Sequence, residues 1–323
     1  MTDIFIPSTL REPPNGRAGR RPVMVAIAGD SAAGKTTLTA GLIAALGRDR
    51  VTGVCVDDYH RYDRQERRSL PFTPLHPACN YIQITEQHLQ LLAAGQPILK
   101  PVYDHRTGTF GRQERIAPEE FVIVEGLLPL HSRATRSCFD VTVYLDPAED
   151  LRRAWKVHRD CTRRGYTAEQ VLAELERREP ESAAFIRPQR SDADIVVRFH
   201  RAGGAAPDDP LSVTLLLRPT IPHPDLSTVL GDDTGHAVHL TLTRDEDGKP
   251  VDALFIDGRA PREMSLEVER HIWSGLEVPG VMPSFLGEVE PGTRSEALAL
   301  AELILLFHML RAQTAATSDA ASA

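Results

Sequence analysis

The chain has 323 residues, 41% hydrophobic and 25% charged, enough for one large domain or two modest ones with a substantial core. Its net charge of -8 is uneven: residues 206–323 carry 8 Lys/Arg against 19 Asp/Glu, and the remainder 29 against 26. A basic-leaning first part suits anionic small molecules, whereas the acidic second part argues against nucleic acid or a membrane surface as partner.

The start, MTDIFIPSTLREPPNGRAGRR, lacks the apolar core of a secretory signal and reads as a loose leader over residues 1–20. An apolar strand then begins at Val23 and runs into Gly29, Asp30, Ser31, Ala32, Ala33, Gly34, Lys35, Thr36 and Thr37, after which apolar residues recur at helical spacing to Leu46. Two glycines with four residues between them, closed by Lys-Thr between a strand and a helix, match a phosphate-binding loop. The glycines let backbone N–H groups and the positive helix end face an anion, Lys35 adds a point charge, and the Thr36 hydroxyl suits magnesium. The loop therefore predicts a bound nucleotide.

Val51–Val56 is the next strand, ending at Asp57 and Asp58, and a polar, Pro-dotted excursion follows to Asn80. Residues 85–94 have helical periodicity, with Thr85 as cap and Gly95 as stop. Lys100 to Phe110 is turn-rich and mixes cation, aromatic ring and imidazole; it is either a sugar-phosphate loop or a plain hairpin on which Tyr103 packs and His105 is solvated. Phe121 to Val124 is a buried strand ending at Glu125. VTVYLD is another, after which Asp146, Pro147 and Glu149 predict a capped start to a helix over 148–164. Thr167 and Gln170 predict a capping box on a helix reaching about Glu179. Strands alternating with helices imply an α/β fold with a doubly wound, mostly parallel sheet over residues 21–205.

From about Pro207 the texture becomes antiparallel, with DEDGKP as a hairpin connection, and helical patterns follow at 262–274 and 294–312. Residues 206–311 are read as a C-terminal α+β extension packed on the core, and 312–323 as a disordered tail. The apolar stretch from Ala297 falls short of a bilayer span and carries Glu302 and His308, so a buried helix is expected. Cys55, Cys79, Cys138 and Cys161 have neither CxxC nor metal-ligand spacing, which fits reduced thiols in a cytoplasmic protein.

Ligands of open α/β sheets gather at the carboxyl ends of strands, which brings the phosphate loop, Asp57 and Glu125 to one rim. A carboxylate there suits a general base, and Asp57 is the candidate, against the plainer role of a turn or cap acid. Glu125 is the candidate magnesium-supporting acid. The basic stretch LRRAWKVHRDCTRRG is either a solvated face or an arginine-bearing lid over a transferred phosphoryl group, with Asp160 assisting the metal or orienting an arginine.

GDSAAGKTT, VDDYHRYDR, KPVYDHRTG, VIVEGLLPL, AWKVHRDCTRRG and PQRSDADIVVR occur in the order that resembles the phosphoribulokinase/uridine kinase family of P-loop kinases, most of all its plant and cyanobacterial phosphoribulokinase branch. The resemblance implies ATP and Mg2+ as cofactors, a sugar-phosphate acceptor and a homodimer. It implies Asp57, Lys35, Arg159 and Arg164 as catalytic residues; His60, Arg64, Tyr103, His105 and Lys156 as substrate contacts; and Thr36, Glu125 and Asp160 around the metal. Two departures stand out. That branch pairs a loop cysteine with one before the second-strand aspartates, but here Ala33 faces Cys55, so the regulatory disulfide cannot form. After Gly292 the family's Asn-Gly-Thr-rich segment is replaced by TRSEALALAEL, where an altered dimer contact or acceptor site is expected. Other acceptors, uridine among them, remain as alternatives, as does a nucleotide-binding regulatory module, which retention of Lys35, Thr36, Asp57 and Glu125 together speaks against.

Removing a base harms chemistry rather than docking, so Asp57→Asn is expected to leave nucleotide affinity near wild type and to lower turnover by at least about a hundredfold. Parallel measurement of ADP binding and of phosphoryl transfer checks this, and wild-type turnover removes Asp57 from the role.

Overall fold

The computed structural model describes residues 21–202, 206, 209–230, 237–276, 281–290 and 292–322, with side chains through 317; the leader expected at 1–20 lies outside them. One eight-stranded sheet organises the chain. Its strands are β1 (Val23–Gly29), β2 (Val51–Cys55), β3 (Phe121–Gly126), β4 (Val141–Leu145), β5 (Ile195–His200), β6 (Ser212–Leu217), β7 (Val238–Arg244) and β8 (Pro250–Ile256), in the order β7-β8-β6-β5-β4-β1-β3-β2. The five strands from β5 to β2 are parallel, and β6, β8 and β7 extend the sheet antiparallel from β5. The doubly wound parallel core and the added antiparallel strands are thus both present, and the predicted hairpin over DEDGKP joins β7 to β8.

Side chains of a strand alternate between faces, and both faces of the parallel part are covered. Val23, Val25 and Ile27 of β1 pack with Leu38, Leu42 and Leu46 of helix α1 (Lys35–Leu46), whereas Met24 packs with Leu89 and Leu92 of α2 (Ile82–Ala93). The chain continues through α3 (Glu149–Arg164), α4 (Ala168–Glu181), α5 (Arg262–Ser274) and α6 (Glu296–Ser322).

Several predicted boundaries move. α2 starts at Ile82, three residues before the expected cap, and Thr85 instead donates to the Tyr81 carbonyl at 3.0 Å from inside the first turn. Asp146 caps nothing: Ala148 opens α3 without a side-chain cap, and Asp146 pairs with Arg190 at 3.1 Å and Arg198 at 3.5 Å. The Thr167–Gln170 capping box is present as predicted. The tail expected to be disordered from 312 continues α6 to Ser322, because its Ala-rich composition propagates a helix already anchored in the core. Glu296–Thr317 is long and apolar enough to cross a membrane by length and composition, yet 78% of that window is buried within the protein.

α6 covers α1 and β1, and its buried carboxylate Glu302 lies against Gly41 of α1 and accepts from the Gly287 N–H at 2.7 Å. Burial pushes this carboxyl up from 4.5 to about 7, against the pull of Gly287 and Arg294. Its stabilising contribution is therefore full below the unfolded value and is lost as pH rises through about 7. Compared with Glu302→Gln in urea unfolding, the wild type should lose roughly 2 kcal/mol between about pH 5 and pH 8. A pH-independent difference between the two proteins removes Glu302 from that role.

Candidate active site

A cavity of about 1130 Å³ opens along the carboxyl ends of β1, β2 and β3 and is roofed by α3 and α4. The phosphate loop forms its floor. Gly34 turns the chain into α1 at φ 94°, a left-handed conformation that costs a side-chain-bearing residue energy, and Ala32 is held at φ 65° beside it. No side chain caps α1, so its first N–H groups remain for an anion. Lys35 curls back to donate to the Gly29 and Asp30 carbonyls, at 2.9 Å each. Ser31 through Thr37 line the cavity. Gly29 and Asp30, expected among the nucleotide contacts, lie behind them: the Asp30 carboxylate accepts from Ser182 and lies 3.7 Å from Arg152, bracing the loop.

Asp57 lies in a single turn, Val56–Tyr59, after β2, and its Oδ1 accepts the Leu127 N–H at 2.9 Å. Glu125 ends β3, with the Thr36 hydroxyl 3.4 Å from its Oε1. Burial raises the Glu125 carboxyl and Asp57 raises it further, against the attraction of Lys35. Thr36, Glu125 and Asp57 thus offer hard oxygen donors close together. Among the described residues no three His, Cys, Asp or Glu side chains form a cage of their own. Gly126 makes this rim feasible: at φ 151° a Cβ would lie 2.4 Å from Val56 Cγ2 and 2.8 Å from Asp57 Oδ1. Cys55 is a free thiol, pushed well above its usual range by burial and by the carboxylates of Asp57, Asp58 and Glu125, so it is not a ready nucleophile.

Also lining the cavity, His60 is buried, with Nδ1 2.8 Å from Asn80 Oδ1. Burial pushes it down to about 4, so it faces the cavity uncharged. Arg64 bonds the His105 carbonyl at 2.5 Å and the Arg106 carbonyl at 3.2 Å, fixing the Lys100–Phe110 hairpin. Tyr103 packs beneath that hairpin and donates to the Gly108 carbonyl at 3.1 Å, while Arg67 donates to its hydroxyl. His105 is half-buried on the cavity wall rather than solvated.

α3 gathers the cations for which a lid role is expected. Asp160, buried, accepts from Lys156 at 2.7 Å and Arg159 at 2.8 Å, with Arg164 at 3.5 Å. Burial alone would raise its carboxyl, but the hydrogen bonds from Arg159 and Lys156 hold it below the usual range. Each Asp160 oxygen thus meets at least one cation, an arrangement that holds the directions of Lys156 and Arg159. Lys156 is pushed down to about 8 by burial, which outweighs its partner. Arg159 reaches Ser31 Oγ at 3.4 Å, over the phosphate loop.

A sequence model of the phosphoribulokinase/uridine kinase family matches residues 24–203, more than half of the chain. The chain belongs to this family. The phosphoribulokinase of Synechocystis sp. is 39% identical over 178 residues, covering 55% of this chain and 54% of that protein. The chloroplastic phosphoribulokinase of Triticum aestivum is 32% identical over 197 residues, covering 56% and 49%. The uridine kinase of Oceanobacillus iheyensis is 30% identical over 186 residues, covering 55% and 87%. The chain spans about half the length of the curated phosphoribulokinases it matches. The solved structure of the phosphoribulokinase from Rhodobacter spheroides shares the fold at TM-score 0.59 and 17% identity, covering 91% of this chain and 99% of its own.

Within this phosphoribulokinase/uridine kinase framework, the cavity also holds residues that the sequence reading missed. Arg67 and Arg68 come from the Pro-dotted excursion, and Arg177 and Arg178 from α4, where a charge run reads as a solvated face. The available signal was position: α4 follows the lid helix directly and packs on it. Trp155, one of only two tryptophans, also lines the cavity, and its spacing on α3 gave no hint of that.

Gly126→Ala is expected to displace Asp57, lowering turnover by about tenfold or more and stability by roughly 1–3 kcal/mol. Steady-state kinetics with urea unfolding checks both, and an unchanged enzyme refutes the steric account.

Proposed function

We propose that the chain is an ATP-dependent phosphoribulokinase, moving the γ-phosphate of ATP to the 1-hydroxyl of ribulose 5-phosphate. One observation carries the choice of acceptor: ten lysine or arginine side chains line the cavity against four carboxylates. A nucleoside triphosphate together with a phosphomonoester, which brings about two negative charges, suits that excess; a neutral nucleoside would leave much of it unpaired.

Asp57, held by the Leu127 N–H, accepts the proton of the 1-hydroxyl as that oxygen attacks the γ-phosphorus. The bond from phosphorus to the β–γ bridging oxygen breaks, and ADP leaves. Lys35 and Arg159 face the phosphates, Arg164 supports the transferring group, and Asp160 sets the direction of these arginines. Thr36 and Glu125 suit a magnesium ion, which when bound neutralises charge on the phosphate oxygens. Burial of the acceptor between α3, α4 and the Tyr103 hairpin excludes water as a competing nucleophile. The family resemblance supports a homodimer, which sedimentation velocity tests.

A second reading, uridine as acceptor, is favoured by the uridine kinase similarity, since the chain covers 87% of that relative. Acceptor profiling in a coupled ADP-release assay separates the two. Ribulose 5-phosphate is expected to exceed uridine in kcat/KM by at least about a hundredfold; the reverse order overturns the phosphoribulokinase reading.

A further inference from the structure

Helix α4, which roofs the cavity, ends at Glu181 directly after an internal Pro180, and a π-helical turn, Ser182–Ile186, leads the chain on to Gln189. Such turns are rare and frequently lie at functional sites. Glu181, Ser182 and Gln189 do not line the cavity, yet the three side chains reach three different parts of its wall.

Gln189 is buried and grips the turn after β3. Its Nε2 donates to the Leu127 carbonyl at 2.7 Å and the Phe185 carbonyl at 3.0 Å, and its Oε1 accepts the Leu130 N–H at 2.9 Å. One planar amide supplies both donor and acceptor, so it pins Leu127 and Leu130 together. Leu127 is thereby held on both sides: its carbonyl by Gln189, and its N–H on Asp57 Oδ1 at 2.9 Å. Bonds on successive peptide groups fix the dihedrals between them, and with them the direction in which that N–H points. Both residues are buried, so losing the amide leaves the Leu127 carbonyl without that partner and away from bulk water.

Glu181 reaches the loop that backs His60. Its carboxylate accepts the Thr73 N–H at 2.9 Å and the Thr73 hydroxyl, whose oxygen accepts the Leu75 N–H at 3.2 Å. In the same turn the Pro74 carbonyl accepts from Asn80 Nδ2 at 3.0 Å, and Asn80 Oδ1 lies 2.8 Å from His60 Nδ1. Ser182 donates to Asp30 behind the phosphate loop. Apolar packing seats the segment, since Ile186 shares one buried cluster with Leu75, Leu127 and Leu128.

We infer that Gln189 and Glu181 are positioning residues for phosphoryl transfer, Gln189 aiming the Asp57 carboxylate through Leu127 and Glu181 fixing the wall that carries His60 through Thr73 and Asn80. The inference rests on the proposed transfer, with Asp57 as base and His60 beside the acceptor. Each side chain acts through another residue, and a shift of about 1 Å in a reacting group is enough to lower a rate by about a hundredfold. The two contacts divide the work: Gln189 bears on the chemical step and Glu181 on acceptor binding.

Steady-state kinetics with ATP and ribulose 5-phosphate, with ADP affinity by calorimetry, tests this on the full chain. Gln189→Met, close in shape but without the amide donor, should lower kcat about tenfold or more, with the KM for ribulose 5-phosphate and the ADP affinity within about twofold of wild type. Glu181→Ala should raise that KM about fivefold or more, with kcat within about twofold. Wild-type ADP affinity reports that each variant is folded. A double-mutant cycle separates positioning from a general loss of order: in an Asp57→Asn background, Gln189→Met should lower the residual turnover by less than about twofold. A tenfold loss persisting in that background, or wild-type kcat in Gln189→Met, overturns the role of Gln189, and an unchanged KM in Glu181→Ala overturns that of Glu181. Gln189→Asn and Glu181→Asp, each one methylene too short for its contacts, stand in where the larger change does not fold and should shift the same constants in the same direction. Wild-type turnover in Asp57→Asn alone overturns the base reading itself, and the Gln189 assignment with it.

Discussion

Concentrating cations in one cavity is the constraint on which the site depends. Arg and Lys side chains repel one another when brought together in a partly dehydrated space, and each loses hydration as it is buried. Asp160 resolves this for α3: one buried carboxylate fixes Lys156, Arg159 and Arg164 in fixed directions. Glu174 does the same on α4 for Arg177 and Arg178, at 2.8 and 2.5 Å. The charge that remains uncompensated points inward. The network is thus only partly neutralised by the protein, an arrangement that suits an anionic ligand.

The sheet makes that arrangement rigid. β1, β3 and β2 deliver the phosphate loop, Glu125 and Asp57 to one edge because parallel neighbours end at the same side. Gly126 then lets the Asp57 carboxylate lie against the next turn. The C-terminal strands and α6 do not stand apart from this core. β6 pairs with β5, and α6 packs on α1, the helix that follows the phosphate-binding loop. The C-terminal segment therefore meets α1 directly, through Glu302 and Gly41.

Much of this was legible in the residue order. The strand–loop–helix around Gly34 and Lys35 is a local solution, dictated by backbone conformation and a few adjacent residues, and the strand ends at Asp57 and Glu125 follow from apolar runs stopping at carboxylates. The capping box at Thr167 is equally local. Asp146 shows the limit: a favourable cap composition yielded to Arg190 and Arg198, which arrive from residues more than forty positions later. His60 shows another. Its motif placement was readable, but its neutrality follows from burial behind Asn80, which no spacing reports.

By itself the sequence determined the phosphate loop, the alternating αβ order and the carboxylates that end the apolar strands, because each is set by near neighbours in the chain; parallel pairing then brought Asp57 and Glu125 to one rim. Tertiary structure decided which side chains share the cavity. Arg67, Arg177, Trp155 and Leu298 come from segments far apart in the chain, and they meet only because the sheet and α6 fold them around one loop. Side-chain charge is fixed by residue type, but whether it faces solvent, a partner or a ligand is a property of packing.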